Sequence, residues 1–310
     1  MAWAIKVNDI SVVITCYSEG KLILDAIESI HQQSFPAQEI ILVNDASTDI
    51  ETNQVCQQLD VEPQVRVVWR QQNGGTSEAR NDGFKAAQGN VIVPLDADDV
   101  LPRQALEIVF HAFHAHPDAG FIYGSYLRQD RVDSPAVQIY PGDISLQTML
   151  KSKPCSLSSN WKLIGTTPLR RSLWESMGGY KASFGIKSLH DVEFWMRVLA
   201  SDCPYYSVSE PIYAWRKYLG KNSRRVTPLA WYELAKEHLS IYRHVGLEYR
   251  AYELLLLGSK WLNHKSQVKE FSRHLFRRVR QGDFRFSTIV ALIIPSFILA
   301  GLAHYAQQRR

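Results

Sequence analysis

Apolar and polar positions alternate along residues 10–114 in blocks that predict strands and helices in turn. Short runs of β-branched apolar residues are typical of buried strands, whereas apolar residues at helical spacing, as in 21–33, indicate helices with one buried face. The predicted strands cover 10–16, 39–43, 65–69 and 91–95, and the predicted helices cover 21–33, 52–59, 77–87 and 104–114. This order predicts an α/β fold with a mostly parallel central sheet flanked by helices.

The pattern loosens after 121–126, where glycine and proline residues interrupt a mixed region. Helical spacing returns at 188–200, 231–243 and 249–264. We therefore expect an α/β domain over 1–225, a helical C-terminal extension over 226–285, and an apolar tail over 286–310.

Polar clusters follow three of the predicted strands, at 15–17, 44–45 and 96–99. The carboxyl ends of parallel strands meet at one edge of a sheet, and ligands bind there in folds of this class. The sequence therefore predicts a single site at this edge.

The densest of these clusters contains Asp96, Asp98 and Asp99. Three carboxylates so close together repel one another unless a positive charge lies among them. A divalent cation is the simplest such charge, because hard cations bind carboxylate and phosphate oxygens. The alternative is a polar turn in which Asp98 or Asp99 caps the helix that follows Pro102.

Composition narrows the class of protein. The chain has 310 residues with 45% hydrophobic and 21% charged residues, which is ordinary for a globular protein, and its net charge of +4 does not indicate nucleic-acid binding. Four separated cysteines without a CxxC pair favour free thiols in a reducing compartment. We see no secretory signal at the N-terminus.

The C-terminal stretch 286–308 carries no formal charge, and arginines flank it. Its length is at the short end of what can cross a bilayer. A buried helix or a helix lying in the membrane interface would have the same composition. We expect attachment to the inner face of a membrane, with the rest of the chain in the cytoplasm, where basic residues gather.

Together these segments resemble glycosyltransferase family 2, the inverting nucleotide-sugar transferases with the GT-A fold. The resemblance spans about residues 10–218. It rests on five segments in the family's order, at 11–19, 41–49, 73–83, 96–99 and 189–197. The chain departs from the family at His190, where many members have Glu, and 215–218 matches the family's later Arg-x-His segment only loosely.

The resemblance implies roles for residues at the sheet edge. It places Thr15, Tyr17 and Asp45 at the nucleoside. Asp45 could also close its strand through an Asx-type turn, and both roles could hold at once. It makes Asp98 the direct ligand of Mg²⁺ or Mn²⁺, with Asp96 directed to the ribose or the metal.

Two further residues have competing interpretations. Arg80 could meet phosphate or the acidic cluster, or it could be a surface arginine on a solvated helix. Asp191 is the implied general base that takes the proton of the acceptor. It also fits a capping box with Ser188, in which case it only begins a helix.

The resemblance thus implies an inverting transferase that moves a sugar from a nucleotide-diphosphate donor, expected to be a UDP-sugar, to an acceptor hydroxyl. The acceptor is expected to be a saccharide, a lipid-linked molecule or a protein, as in the synthesis of cell-envelope polysaccharide. The alternative is a noncatalytic nucleotide-sugar-binding protein of the same fold. A dehydrogenase is disfavoured because no G-x-G-x-x-G follows the first strand.

Overall fold

The structure is a computed structural model that describes residues 9–152, 159–185, 189–219 and 228–299. The chain forms two compact units, which we call the sheet unit and the helical unit. The sheet unit comprises Met1–Gly142, Leu163–Ile186 and His190–Ser223, and the helical unit comprises Asp143–Lys162, Lys187–Leu189 and Arg224–Arg310.

The sheet unit begins with the predicted alternation of strands and helices. Its first half contains β1 (Ile10–Cys16), α1 (Leu22–His31), β2 (Glu39–Asn44), α2 (Ile50–Leu59), β3 (Val65–Trp69), α3 (Gly75–Ala86), β4 (Val91–Asp96) and α4 (Ala105–Ala115). Its second half contains β5 (Phe121–Arg128), β6 (Val137–Ile139), β7 (Leu169–Arg170), α6 (Arg171–Ser176), α7 (Ala182–Gly185), α8 (His190–Ala200) and β8 (Tyr205–Trp215). In chain order, α5 (Leu146–Leu150) comes between β6 and β7, and it belongs to the helical unit.

The strands form one eight-stranded sheet in the order β3-β2-β1-β4-β7-β5-β6, with β8 paired to β5. Strands β1 to β4 are parallel to their neighbours among these four, whereas β7 and β6 are antiparallel to theirs. The predicted fold, a mostly parallel sheet flanked by helices, is confirmed.

Both faces of the sheet are covered, as the unbroken apolar runs predict. Val12 and Val13 point to opposite faces of β1, yet both are buried. On one face α3 packs closely through Gly83, where an added Cβ would lie 2.4 Å from Val13 Cγ1. This close approach brings the first turns of α3 to the carboxyl edge of the sheet.

Among the described residues from 228 to 299, the helical unit contains α9 (Pro228–Glu237), α10 (Leu239–His244), α11 (Glu248–Trp261), α12 (Lys265–Arg280) and α13 (Phe286–Ile293). The stretch predicted as one helix, 231–243, is therefore two helices separated at His238. Within the described residues, no helix combines the length and the apolar character needed to cross a bilayer.

A buried polar cluster fixes the helical unit internally. Arg250 and Glu253 on α11 are both fully buried, and they form an ion pair of 2.9 Å. Ser287 and Thr288 of α13 donate hydrogen bonds to the same Glu253 carboxylate at 2.8 and 2.5 Å. This carboxylate is therefore matched by donors on both helices.

Candidate active site

The register of the sheet brings the three predicted polar clusters to one edge. Thr15 on β1 lies opposite both Val43 on β2 and Asp96 on β4. Cys16 lies opposite Asn44, so the segments that follow β1, β2 and β4 begin side by side. This is the edge at which ligands bind in parallel α/β sheets.

Arg80 on α3 is buried, with 3% of its surface exposed, so it is not a surface arginine. Its Nη2 donates to Asp96 Oδ1 at 2.7 Å. Its Nη1 lies 3.4 Å from the carbonyl oxygen of Gly165 and 3.2 Å from His190 Nε2. One guanidinium therefore links the end of β4 to the beginning of α8.

Asp99 is buried, and the end of β8 supplies its hydrogen-bond donors. The Tyr213 hydroxyl donates to it at 2.5 Å and the main-chain N–H of Arg216 at 2.7 Å. Burial, with the nearby charge of Asp96, raises the pKa of the Asp99 carboxyl to about 8. Asp99 thus anchors the acidic loop to the end of β8.

Asp98, in contrast, forms no ion pair with any residue that the structure describes. Arg216 donates from Nε to the main-chain oxygen of Asp98 at 2.7 Å, and not to its carboxylate. Burial first, and then the like charges of Asp96 and Glu19, raise the pKa of Asp98 to about 6.

A partly buried carboxylate among like charges is the donor chemistry that a hard divalent cation prefers. The residues present therefore fit Mg²⁺ or Mn²⁺. Asp98 is the candidate ligand, and the Asp96 side chain, 40% exposed beside it, is close enough in sequence to contribute.

Asp45, which the family resemblance places at the nucleoside, binds the turn that precedes α3. Its carboxylate accepts from the main-chain N–H groups of Gly74 at 3.0 Å and Gly75 at 2.8 Å, and from the Arg70 guanidinium. Gly75 has a φ of +75°, a backbone conformation that favours glycine. Asp45 therefore has a structural role in this arrangement, alongside the nucleoside role expected from the sequence.

Arg70 is a site residue that sequence reasoning missed. It follows β3 directly and forms ion pairs with Glu78 at 2.7 Å and Asp82 at 2.6 Å in addition to Asp45. Glu78 and Asp82 are four residues apart on α3 and so lie on one helical face. The spacing of these two carboxylates could have indicated a basic partner, but it does not identify Arg70 as that partner.

Thr15 and Tyr17 border this region. Thr15 is partly exposed at the end of β1, and Tyr17 is 36% exposed in the loop that follows. The Ser47 hydroxyl donates to the Tyr17 carbonyl, which joins the loop after β1 to the loop after β2. The two side chains are thus available to a ligand at the expected place.

Asp191 lies in the first turn of α8 and accepts a hydrogen bond from the Val192 N–H at 2.8 Å. Gly165 packs against it, since an added Cβ there would lie 2.8 Å from Asp191 Cβ and 3.2 Å from Arg80 Nη1. Burial raises the pKa of the Asp191 carboxyl, and the charge of Arg80 opposes this. Ser188, the other member of the expected capping box, lies outside the described residues.

Glu193, the nearest other carboxylate on α8, is fully buried. Arg197 donates to its two oxygens at 2.8 and 2.9 Å and also holds the Gly179 carbonyl at 2.7 Å. Since Glu193 is held in a bidentate pair, Asp191 is the better candidate on this helix for the expected base.

Two buried donor atoms near the acidic loop have no hydrogen-bond partner within the described part of the chain: Arg80 Nε and Arg216 Nη2. Buried donors normally find acceptors, and guanidinium groups suit phosphate oxygens. The sequence indicated Arg216 only through a loose motif match. Its place beside Asp98 depends on a contact between residues far apart in the chain, which the sequence does not report.

Comparison with known proteins shows what the chain is similar to. The sequence model of glycosyl transferase family 2 matches residues 11–168, which is just over half of the chain. The chain is also 29% identical over 120 residues to poly-beta-1,6-N-acetyl-D-glucosamine synthase of Staphylococcus epidermidis, an alignment that covers 39% of this chain and 29% of that protein. The chain spans only 13–41% of the length of this and two other curated relatives.

Two solved structures share the fold. S. aureus TarS 1-349 in complex with UDP-GlcNAc has a TM-score of 0.59 and 19% identity, covering 97% of this chain and 87% of that one. The mannosyltransferase PcManGT from Pyrobaculum calidifontis, in complex with GDP-Man and Mn²⁺, has a TM-score of 0.54 and 18% identity, covering 97% and 82%. At these identities the likeness shows the fold alone.

Proposed function

Because the chain belongs to glycosyl transferase family 2, we propose that it transfers a sugar, with inversion, from a nucleotide-diphosphate donor to an acceptor hydroxyl. One observation carries the proposal. Arg80 brings the acidic loop after β4 and the partly buried Asp191 carboxylate to the same edge of the sheet. A protein that only binds a nucleotide sugar needs the first of these but not the second.

The donor side of the proposal uses residues at the carboxyl edge. Thr15, Tyr17 and Asp45 surround the nucleoside, and Asp96 reaches the ribose or the metal. Asp98 holds Mg²⁺ or Mn²⁺, which supplies Lewis-acid stabilisation of the departing diphosphate when bound. The buried donor atoms of Arg80 and Arg216 add positive charge beside the same phosphates.

On the acceptor side, Asp191 is the general base. Inversion requires a carboxylate on the face of the sugar opposite the leaving group, where it removes the proton of the attacking hydroxyl. Burial raises the pKa of Asp191, which makes its ionised form a stronger base than an exposed aspartate. The Val192 N–H fixes the position of one of its oxygens.

We further propose a UDP-sugar donor and a saccharide of the cell envelope as acceptor. Support comes from the names of similar proteins, one a poly-beta-1,6-N-acetyl-D-glucosamine synthase and another a structure with bound UDP-GlcNAc. The reaction takes place on the cytoplasmic side of a membrane to which the C-terminal segment attaches.

The test is donor hydrolysis by the purified full chain, with UDP-GlcNAc, UDP-glucose, UDP-galactose and GDP-mannose assayed separately in Mn²⁺ or Mg²⁺. We expect release of UDP from one of the UDP-sugars, its loss in excess EDTA, and its loss in Asp98→Asn. Asp133→Asn is the matched control, because Asp133 is an exposed aspartate on the same unit. Turnover that persists in EDTA would contradict the metal, and tight donor binding without any turnover would favour a noncatalytic binding protein.

A further inference from the structure

Helix α13 has its polar and apolar faces reversed relative to an ordinary surface helix. Ser287, Thr288 and Ala291 face inward and are buried. Phe286 and Ile293, at the two ends of the helix, are 58% and 72% exposed. With the partly exposed Ile289 and Val290 they occupy positions i, i+3, i+4 and i+7, which lie on one face. We call these four residues the outer face of α13.

Specific polar contacts fix the orientation of α13. Ser287 and Thr288 bond to the buried Glu253, as described above. The buried Lys260 ammonium donates to the carbonyl oxygens of Ala291 at 2.7 Å, Leu292 at 2.9 Å and Ile294 at 2.6 Å. Turning the helix over would bury its apolar face but would leave the Glu253 carboxylate without two donors.

Apolar exposure continues on both sides of the helix. Phe284 precedes it and is 73% exposed, and Phe297 follows it and is 76% exposed. Exposed apolar residues occur singly on most surfaces, but a contiguous series marks an interaction site.

The preceding helix, α12, adds positive charge. Arg273, Arg277 and Arg280 are exposed at positions i, i+4 and i+7, and among the described residues they form no ion pair. Phe276 is exposed between them, with the Arg280 guanidinium 5.0 Å from its ring centroid. We call these four residues the basic face of α12.

The two faces lie on adjoining helices. Leu275 of α12 and Ala291 of α13 are buried in one apolar cluster. Glu248, at the start of α11, is paired with Arg243 at 2.6 Å and with Arg278 at 3.8 Å. Asp283, in the loop between the helices, already pairs with Arg278 at 3.1 Å and Arg285 at 2.7 Å. Glu270 is the exposed acidic residue of α12 on this side.

We propose that the outer face of α13 and the basic face of α12 together form a binding surface for a membrane that contains anionic lipids. Exposed Phe and Ile side chains enter the boundary between headgroups and acyl chains, and the arginines contact the headgroup phosphates. Helix α13 lies in this interface and does not cross it, because its eight residues are far short of a span. The inference rests on the proposed membrane attachment and identifies the residues and the lipid class responsible.

The experiment is co-sedimentation of the full chain with vesicles of phosphatidylcholine alone or with added phosphatidylglycerol. We expect binding to the anionic vesicles, weaker binding to phosphatidylcholine, and release from anionic vesicles at high salt. Phe286→Ser with Ile293→Ser should weaken binding at least about tenfold to both kinds of vesicle. Arg277→Gln with Arg280→Gln should weaken it only with phosphatidylglycerol present.

Matched controls are on the sheet unit. Val61 and Val132 are exposed apolar residues there, so Val61→Ser with Val132→Ser removes similar surface elsewhere. Lys85→Gln with Arg131→Gln removes two exposed positive charges elsewhere. Both control pairs should bind vesicles as the wild type does.

Two results would overturn the proposal. One is a wild-type chain that stays in the supernatant with both vesicles, as it would if another protein or residues 300–310 of this chain covered the surface. The other is a Phe286/Ile293 variant that binds normally. Hydrolysis of the donor is measured without vesicles in every variant, so a failure of this surface can be distinguished from a failure of the proposed transferase.

Discussion

One carboxylate of the helical unit, Glu253, and one of the sheet unit, Asp98, are in opposite situations. In the helical unit, Glu253 is fully buried and accepts from Arg250, Ser287 and Thr288. In the sheet unit, Asp98 lies near the like charges of Asp96 and Glu19, which with burial raise its pKa, and the charge of Arg216 opposes them only in part. A carboxylate whose acceptor sites are filled by the chain supports the fold, whereas one that lies among like charges is suited to bind a cation.

The largest expected effect is a loss of stability when the buried and fully paired carboxylate, Glu253, is removed. Glu253→Ala should lower the free energy of unfolding by about 3–5 kcal/mol, because it removes the carboxylate that pairs with the buried Arg250. Chemical denaturation of the full chain measures this.

A double variant serves as the control for that measurement. Arg250→Met with Glu253→Leu removes both charges together and should cost much less than Glu253→Ala alone. If the single and double variants are equally unstable, packing volume and not charge explains the loss.

The next largest expected effect is a loss of turnover when Asp191, the proposed base, is changed. Asp191→Asn keeps the size of the side chain and its acceptor for the Val192 N–H, but it cannot take a proton. We expect turnover to fall by at least about 10²-fold, the low end for loss of a positioned general base. Melting temperature and donor affinity, measured on the same preparation, should stay at the wild-type values.

The pH profile of the wild type provides a second check on Asp191. Burial raises the pKa of this carboxyl in the folded chain. The base is active only when ionised, so the acid limb of kcat/KM should lie above the ordinary range for aspartate. An Asp191→Asn variant with normal turnover would show that this residue only begins the helix.

The smallest expected effect is a change in stability at Asp98. Its sign is opposite to that expected for Glu253→Ala. In the presence of a chelator, Asp98→Asn should raise the free energy of unfolding by about 1 kcal/mol at neutral pH. A pKa raised from 3.8 to about 6 corresponds to at most about 3 kcal/mol, which partial exposure to solvent reduces.

The pH dependence of that gain follows from the same pKa. Because the folded chain holds the Asp98 proton more tightly, the wild type loses stability as pH rises through the interval from 3.8 to about 6. The advantage of Asp98→Asn should therefore be complete above this interval and absent below it. A destabilised variant would make Asp98 a structural residue like Glu253 and would remove the basis for a metal there.

Local patterns were sufficient to predict the fold and the edge of the sheet at which the polar clusters meet. Buried strands and amphipathic helices leave periodic signals within single segments, so the sheet edge that carries Thr15, Asp45 and Asp96 could be predicted. What separates Asp99 from Asp98 is a contact with Tyr213, 114 residues away, and no local pattern reports such a contact.

The orientation of α13 was beyond sequence reasoning for the same reason. Its apolar composition predicts burial or a membrane, but the choice depends on Glu253 and Lys260. These residues lie on α11, 31–35 residues before their partners on α13. Where a polar group at a distance decides which face turns inward, periodicity alone gives the wrong face.

Arg80 has a consequence for how the chain can diverge. The guanidinium joins Asp96 to the start of α8 directly, although 110 residues separate Arg80 from His190. The acidic loop and the start of α8 are therefore held together in part by one side chain on α3, whatever the length of the loops between them. Changes in loop length within that stretch are compatible with the two carboxylates staying together, provided that Arg80 keeps both contacts.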